Sequence, residues 1–277
     1  MDLRAYLDRI AYSGPLERDR ATLAALMQAQ LAAVPFENLD QQMWRPVAPD
    51  VAGAYAKIVE RRRGGWCFEL NGLLGWALSE IGFGVDVLAG HVGENGSTRD
   101  KPANHKLLRV SVGDGTPPLF VDVGFGGSLF APVPFAAGRW DQPPYTLTLS
   151  EEDSGFMRFT EAAHGRTNAF DFRTDPVHSD YFDAINDWLQ THEDSPFRRT
   201  LTVQKRLPDR RIVLRGRVLQ TVTPASAEES VLPSRAAFVS CVVDRFGLDV
   251  PEIEAVWPVM VERHAELFGE TADGATG

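Results

Sequence analysis

The chain is organised around residues 61–75, RRRGGWCFELNGLLG, in which a glycine pair precedes a cysteine and an apolar helical pattern. The two glycines allow a sharp backbone path into the segment. Apolar residues then recur at the spacing of one helix face, at Leu70, Leu74 and Leu78. The pattern predicts a helix that begins at Cys67, where the macrodipole and free backbone N–H groups favour a thiolate. A small buried hydrophobic cysteine fits the same position, so position alone leaves both interpretations open.

Composition disfavours several classes of function. The 277 residues carry a formal net charge of −10, whereas nucleic acids bind clustered Lys and Arg. Two distant cysteines without a CxxC pair argue against a disulfide framework and a structural zinc site, and favour a reducing compartment. The N-terminus lacks a secretory pattern, and no stretch approaches the roughly 20 apolar residues of a membrane helix. We therefore expect a cytoplasmic protein without a nucleic-acid or membrane partner.

Apolar spacing divides the first two thirds of the chain into a helical and a β-rich part. Four segments of residues 1–82 show helical spacing: 2–12, 18–33, 51–61 and 67–82. Gly82 suits the C-cap of the last one, and residues 34–40 are expected to form a loop. Residues 83–182 contain short alternating or β-branched runs, which predict an antiparallel sheet or small barrel rather than βαβ units.

The remaining residues, 183–277, mix both patterns. A connecting helix is predicted over 180–192, and Pro208-Asp209 marks a hairpin that is followed by a third strand over 217–222. Ser226 and Glu229 fit a capping box at the start of a helix. Two further helices are predicted near the end of the chain, at 233–246 and 251–268.

A catalytic thiolate needs a base, and the base needs a third group that fixes its tautomer. His105 precedes a predicted strand over 106–112, and Asp122 lies within another over 119–123. If these strands pair as a hairpin, the two side chains lie near each other at one end. An aspartate in an apolar strand also needs a polar partner, which a histidine would supply. His91 is the rival base, but no strand aspartate is obviously placed to hold it.

Glycines surround Phe125 directly after the aspartate, at Gly124, Gly126 and Gly127. A phosphate-binding loop is disfavoured, because no strand-to-helix transition follows and no Gly-Lys-Ser/Thr occurs. A tight turn that brings Phe125 to the edge of a pocket fits the context better.

These features together resemble the arylamine N-acetyltransferase family. Five segments carry the resemblance in the family's order and spacing: VPFENLD at 34–40, RGGWCFELN at 63–71, His105 at the start of a strand, VDVGFG at 121–126 and SPFRR at 195–199. One departure is Trp66, since the family often has tyrosine before the cysteine.

The resemblance implies a catalytic triad of Cys67, His105 and Asp122, supported by an ion pair between Arg63 and Glu37. It also implies a substrate pocket, whose residues would be Phe36, Phe125, Phe197, Gly124 and Gly126. The implied fold class is α+β with a papain-like Cys-His-Asp core. It would have a helical bundle over 1–82 that carries the nucleophile, an antiparallel β-barrel over 83–182 that carries the histidine and aspartate, and an α/β lid with an interdomain helix over 183–277.

The implied activity is acetyl-CoA-dependent N-acetylation of arylamines, arylhydrazines or arylhydroxylamines, by a ping-pong mechanism through an acetyl-cysteine and without a metal. The phosphates of CoA would need a basic patch, for which Arg198, Arg199, Lys205 and Arg206 are candidates. Two alternatives stay open. One is an amide synthase of the same family that acts on a carrier-bound polyketide thioester, and the other is a transglutaminase-like or papain-like hydrolase. A non-catalytic binding module is disfavoured, because all three triad positions are filled.

Overall fold

The computed structural model describes residues 1–93, 99–113 and 115–268. Among these residues no helix combines the length and apolar character needed to cross a bilayer. Helices dominate the first third of the chain, a large antiparallel sheet follows, and a smaller sheet with two long helices comes last.

The described helices fall mainly near the two ends of the chain. Their bounds are α1 Leu3–Arg9, α2 Arg20–Ala33, α3 Leu39–Gln42, α4 Val51–Tyr55, α5 Cys67–Ile81, α6 Asp183–Thr191, α7 Pro196–Arg199, α8 Arg235–Phe246 and α9 Trp257–Phe268. A π-helical turn, Ala56–Glu60, continues α4, and 3₁₀ turns precede α6 and α9. The predicted start of α5 at Cys67 is confirmed, as is its end at Gly82, whose φ of 103° is readily adopted by glycine.

The strands form two antiparallel sheets. Their bounds are β1 Phe36–Glu37, β2 Gly84–Val92, β3 His105–Ser111, β4 Leu119–Val121, β5 Val133–Pro134, β6 Gly138–Gln142, β7 Tyr145–Glu151, β8 Phe156–Ala163, β9 Arg166–Arg173, β10 Thr202–Leu207, β11 Arg210–Arg215, β12 Val218–Val222 and β13 Ala227–Val231. Eight strands make a nearly closed barrel sheet in the order β5-β4-β3-β2-β9-β8-β7-β6, and the other sheet has the order β1-β10-β11-β12-β13.

The predicted hairpin of β3 and β4 is confirmed. The two strands pair antiparallel, with Leu108 opposite Val121, and Asp122 follows β4 directly. His105 is the first residue of β3. Both side chains therefore lie at the same end of the barrel sheet.

Two local predictions are wrong, both because distant pairing decided the structure. Residues 34–40 are not a loop throughout: Phe36 and its neighbour pair with β10, opposite Gln204 and Val203, and α3 follows. Ser226 does not cap a helix. The Thr223 N–H donates to the Ser226 carbonyl at 2.8 Å in a turn, after which β13 pairs with β12.

Two apolar cores lie beneath these elements. The larger contains side chains from α1, α2 and α5 and from strands β2 to β9, with Tyr6 and Leu74 at one end and Phe159 and Phe172 at the other. The smaller contains β10 and β11 packed against α8 and α9, with Phe238 and Trp257. The helices that carry the cysteine and the barrel that carries the histidine thus share one core.

Candidate active site

Cys67 is the first residue of α5 and is buried, with 2% of its surface exposed. Glycines shape the approach to it, since a Cβ atom on Gly64 would lie 2.3 Å from the carbonyl oxygen of Pro35. The Gly65 N–H donates to the same carbonyl at 3.2 Å. The backbone of this segment is thereby fixed against the strand that precedes it, and the thiol lies where unpaired N–H groups of a helix start favour an anion.

His105 and Asp122 are buried together. The Nε2 atom of His105 lies 2.6 Å from Oδ2 of Asp122, and both side chains are about as buried as the cysteine. The Cys67 thiol lies close enough to the imidazole to help raise its pKa, and its Sγ atom donates to the carbonyl of Asn104 over 3.9 Å. The structure therefore brings the three residues together in the order thiol, imidazole, carboxylate.

The electrostatics of this group favour a charged imidazole. Burial alone would lower the pKa of His105, but the charge and hydrogen bond of Asp122, together with the Cys67 thiol, outweigh it and raise the pKa to about 10. An imidazolium beside a thiol supports the thiolate form.

The second oxygen of Asp122 is held by a residue that the sequence analysis missed. The side-chain amide of Asn71 donates to Oδ1 at 2.9 Å, and the Gly124 N–H donates to it at 2.7 Å. Asn71 also accepts from the Val123 N–H at 2.9 Å. It lies one helical turn after Cys67, so a single helix carries the thiol and orients the carboxylate. In the sequence Asn71 was visible as a polar residue within an apolar helical pattern and as the last residue of the segment RGGWCFELN, and neither feature indicated its partner.

Gly124 packs directly on the nucleophile. A Cβ atom there would lie 2.7 Å from Cα of Cys67 and 2.6 Å from the side-chain nitrogen of Asn71, distances that no side chain tolerates. Gly126 has a φ of 93°, and a Cβ atom on it would lie 2.2 Å from the side chain of Gln204. The glycines predicted to flank Phe125 are therefore needed to bring the turn close to both the site and β10.

The three predicted pocket phenylalanines lie at different distances from the triad. The ring of Phe125 is 5.7 Å from the ring of His105, and the ring of Phe197 is 5.2 Å from that of Trp66, the neighbour of Cys67. Phe36 is buried in the larger core, and its strand is bridged to the glycine pair before the cysteine. Phe125 thus contacts the triad itself, whereas Phe197 reaches it through Trp66.

Arg63 and Glu37 form the ion pair expected from the resemblance. The guanidinium donates to Glu37 at 2.8 Å and to Asp40 at 3.2 Å. Burial tends to lower the pKa of Arg63, but the two carboxylates outweigh it and raise the pKa. The pair anchors the segment before the cysteine to β1 and α3.

The rival base and the phosphate-binding candidates lie in other settings. His91 is buried in β2 opposite Asp171 of β9, and its ring packs edge-to-face against Phe156. Arg206 is almost fully buried and donates to the carbonyls of Pro143 and Leu207, both at 2.6 Å, so it is not available to a phosphate.

The other basic candidates are more accessible. The Arg198 guanidinium lies 3.0 Å from the ring centre of Trp44, and Arg199 is exposed near Asp194. Lys205 is partly buried, and burial lowers its pKa. Within the described ranges no group of His, Cys, Asp and Glu side chains could hold a metal ion.

The chain is similar in sequence and in fold to known N-acetyltransferases. A family model described as N-acetyltransferase matches residues 19–256. An arylamine N-acetyltransferase of Mycolicibacterium smegmatis is 38% identical over 263 residues, which cover 91% of this chain and 94% of the relative. The structure of Mycobacterium marinum arylamine N-acetyltransferase in complex with CoA superposes with a TM-score of 0.85 at 30% identity, covering 94% of this chain and 98% of the other. The enzyme of Salmonella typhimurium gives a TM-score of 0.83 at 30% identity, with the same shares covered.

Proposed function

This chain belongs to the arylamine N-acetyltransferase family, and we propose that it transfers an acetyl group from acetyl-CoA to the nitrogen of an arylamine, arylhydrazine or arylhydroxylamine. The observation that carries the proposal is the buried contact between Cys67, His105 and Asp122, with the histidine 2.6 Å from the aspartate. A relative of the same fold in complex with CoA supports a CoA thioester as the donor.

In the first step, the Cys67 thiolate attacks the carbonyl carbon of the acetyl thioester. The thioester C–S bond breaks, CoA leaves as its thiol after taking a proton from the His105 imidazolium, and an acetyl group remains on Cys67. Asp122 keeps its negative charge throughout and stabilises the imidazolium. We propose that backbone N–H groups at the start of α5 donate to the oxyanion of the short-lived tetrahedral intermediate.

In the second step, the nitrogen of the aromatic substrate attacks the acetyl-Cys67 carbonyl. Aromatic amines are weak bases and are largely unprotonated at neutral pH, so their lone pair is available. His105 accepts the proton that the nitrogen loses, and Cys67 departs as the thiolate. The product is an N-acetyl amide, and the site returns to its starting state.

Water competes with the amine for the acetyl-enzyme. The triad side chains are each at most 3% exposed, and the ring of Phe125 packs against the imidazole in an edge-to-face arrangement. Burial of this kind limits hydrolysis until an amine arrives. We propose that Phe125, with Phe36 and Phe197, contributes apolar surface to the aromatic acceptor, and that Gly124 and Gly126 let it approach. The ion pair of Arg63 and Glu37 holds the residues before Cys67 in place.

We place the protein in the cytoplasm, because its two cysteines are free thiols and a nucleophilic thiol must stay reduced. The acidic total charge favours small-molecule substrates over nucleic acid.

Mass spectrometry after brief exposure to acetyl-CoA without amine tests the proposal. We expect an increase of about 42 Da, the mass of an acetyl group replacing a proton, on the peptide that contains Cys67, and its removal when an aromatic hydrazine is added. Cys67→Ala is expected to give neither adduct nor product, whereas Cys241→Ala, which lies in α8, is expected to retain both.

Two outcomes would contradict the proposal. One is a fully active Cys67→Ala protein. The other is an adduct that disappears at the same rate with and without amine, which would indicate a hydrolase.

A further inference from the structure

A π-helical turn presents a lysine to the protein interior behind the nucleophile. Lys57 lies in the turn Ala56–Glu60 and is 2% exposed. Its ammonium lies 2.9 Å from Glu69, 3.0 Å from Asp40 and 3.7 Å from Glu37. Single π-helical turns are rare and occur frequently at functional sites. This one places a cation among three buried carboxylates.

One of these carboxylates, that of Glu69, lies in the first turn of α5, the helix that begins at Cys67. Glu69 follows Cys67 by two residues, and its Oε2 atom accepts from the Trp66 N–H at 3.2 Å as well as from Lys57. The carboxylate therefore helps to fix the helix start. An unbalanced negative charge there would, however, oppose formation of the thiolate.

The surrounding charges nearly cancel because Lys57 is present. Glu37, Asp40 and Glu69 face Lys57 and Arg63, so three carboxylates meet two cations. Burial raises the pKa of Glu69, and Lys57 works in the opposite direction. Without Lys57, two negative charges would remain unbalanced close to the nucleophile.

The other charged groups beside Cys67 lie on the barrel. His105 contacts the thiol, and the charge of Lys106 also interacts with it. The ammonium of Lys106 is buried near the Phe68 carbonyl, 3.5 Å away, and burial lowers its pKa. Neither group touches Glu69 in the described contacts, so the charge of that carboxylate is balanced from the side of Lys57.

We infer that Lys57 is a positioning residue for the acyl-transfer reaction, acting through Glu69 to hold the helix start and to balance the carboxylate charge beside the Cys67 thiolate. This role rests on the proposed function of Cys67 as the nucleophile. It makes the π-helical turn part of the catalytic support, in addition to the ion pair of Arg63 and Glu37.

The test measures the rate at which iodoacetamide alkylates Cys67 across pH 4 to about 9, without acetyl-CoA, since only the thiolate reacts. A Cys241→Ala background leaves Cys67 as the sole thiol. Lys57→Met is expected to raise the midpoint of the profile by about one pH unit, the order of magnitude for two unit charges roughly 10 Å apart at an effective dielectric constant of about 20–40. Glu69→Gln is expected to lower the midpoint by a similar amount.

Compensation separates charge balance from a packing effect. The double variant Lys57→Met with Glu69→Gln restores the formal balance and is expected to return the midpoint to that of the background protein. Lys57→Arg keeps the positive charge, and its midpoint is also expected to stay near that of the background protein. Arg109→Met serves as the matched control. It removes a cation that lies 2.7 Å from Asp86 in an ion pair on the barrel, and it is expected to leave the midpoint unchanged.

The inference fails if the midpoint is unchanged in both Lys57→Met and Glu69→Gln, or if the double variant moves as far as Lys57→Met alone. Should Lys57→Met not fold, Glu69→Gln and the double variant still decide the question. The acetyl-enzyme assay of the same proteins distinguishes this failure from that of the proposed function. An unchanged alkylation profile with a normal acetyl adduct on Cys67 overturns only the role of Lys57, whereas absence of the adduct in the Cys241→Ala background overturns the proposed function.

Discussion

Replacing Asp122 by asparagine tests the hydrogen bonds that set the protonation of His105. Two donors, the side-chain amide of Asn71 and the Gly124 N–H, converge on Oδ1 of Asp122 at 2.9 Å and 2.7 Å. That position requires an oxygen, so the NH₂ group of an introduced asparagine would face the imidazole. The Nε2 atom, now 2.6 Å from Oδ2, would then accept a hydrogen bond. The ring proton would move to the nitrogen that faces Cys67.

This tautomer cannot take the thiol proton, and the charge that raises the pKa of His105 against burial is lost as well. The equivalent change in a Ser-His-Asp triad lowers kcat by about 10,000-fold. We expect the rate of acetylation of Cys67 to fall by about 1,000- to 10,000-fold, which corresponds to about 4–5.5 kcal/mol of activation free energy. The free energy of unfolding is expected to fall by less, about 1.5–3 kcal/mol, as is typical for loss of a hydrogen bond to a charged group.

The rate is measured by rapid quenching of the enzyme with acetyl-CoA and mass spectrometry of the acetyl adduct, and folding by thermal denaturation. Asp86→Asn provides the matched control, because its carboxylate pairs with Arg109 on the barrel instead of with a histidine. A folded Asp122→Asn protein that acetylates Cys67 within about tenfold of the wild-type rate, a difference of about 1.4 kcal/mol, would refute the assignment of Asp122 as the group that orients His105.

Three further predictions concern the same region. Gly124→Ala places a Cβ atom 2.7 Å from Cα of Cys67, so we expect a loss of about 1–3 kcal/mol of stability, measured by chemical denaturation, and of most activity; unchanged values would contradict the close packing. Phe125→Leu is expected to raise the KM for the aromatic amine more than that for acetyl-CoA, and equal effects in steady-state kinetics would argue against an acceptor contact. Because the pKa of His105 is raised to about 10 from 6.5, its stabilising contribution is complete below pH 6.5 and is lost as the pH rises toward 10. The free energy of unfolding of wild type, measured by denaturation, is therefore expected to exceed that of His105→Gln by an amount that shrinks as the pH rises over that range. A constant difference would contradict a charged imidazole in the folded protein.

The sequence predicted those parts of the site that depend on local pattern. The helix that begins at Cys67 follows from apolar spacing, and the hairpin that brings His105 near Asp122 follows from two strands separated by a turn-rich segment. Their mutual contact with the cysteine could not be derived this way, because it depends on how α5 packs on the barrel. The family resemblance supplied that link.

Other features were hidden because their partners are distant in sequence. Asn71 gave no sign of orienting a carboxylate 51 residues away. The strand at Phe36 exists only because β10 pairs with it. Lys57 resembled an ordinary helix lysine, and its burial comes from a π-helical turn that no local pattern indicated. Arg206 was a candidate for binding phosphate, yet it is buried and donates to the carbonyls of Leu207, at the end of β10, and of Pro143, in the turn between β6 and β7.

The shared core of the bundle and the barrel has a thermodynamic consequence. Because side chains of α5 and of β3 belong to one apolar cluster, the nucleophile and the base lie in a single cooperative unit. We expect amide hydrogens of both elements to exchange through the same opening reaction, and fragments divided near residue 82 to fold only when combined. The helices α8 and α9 pack on a separate core, so we expect them to open without disrupting the thiol–imidazole contact.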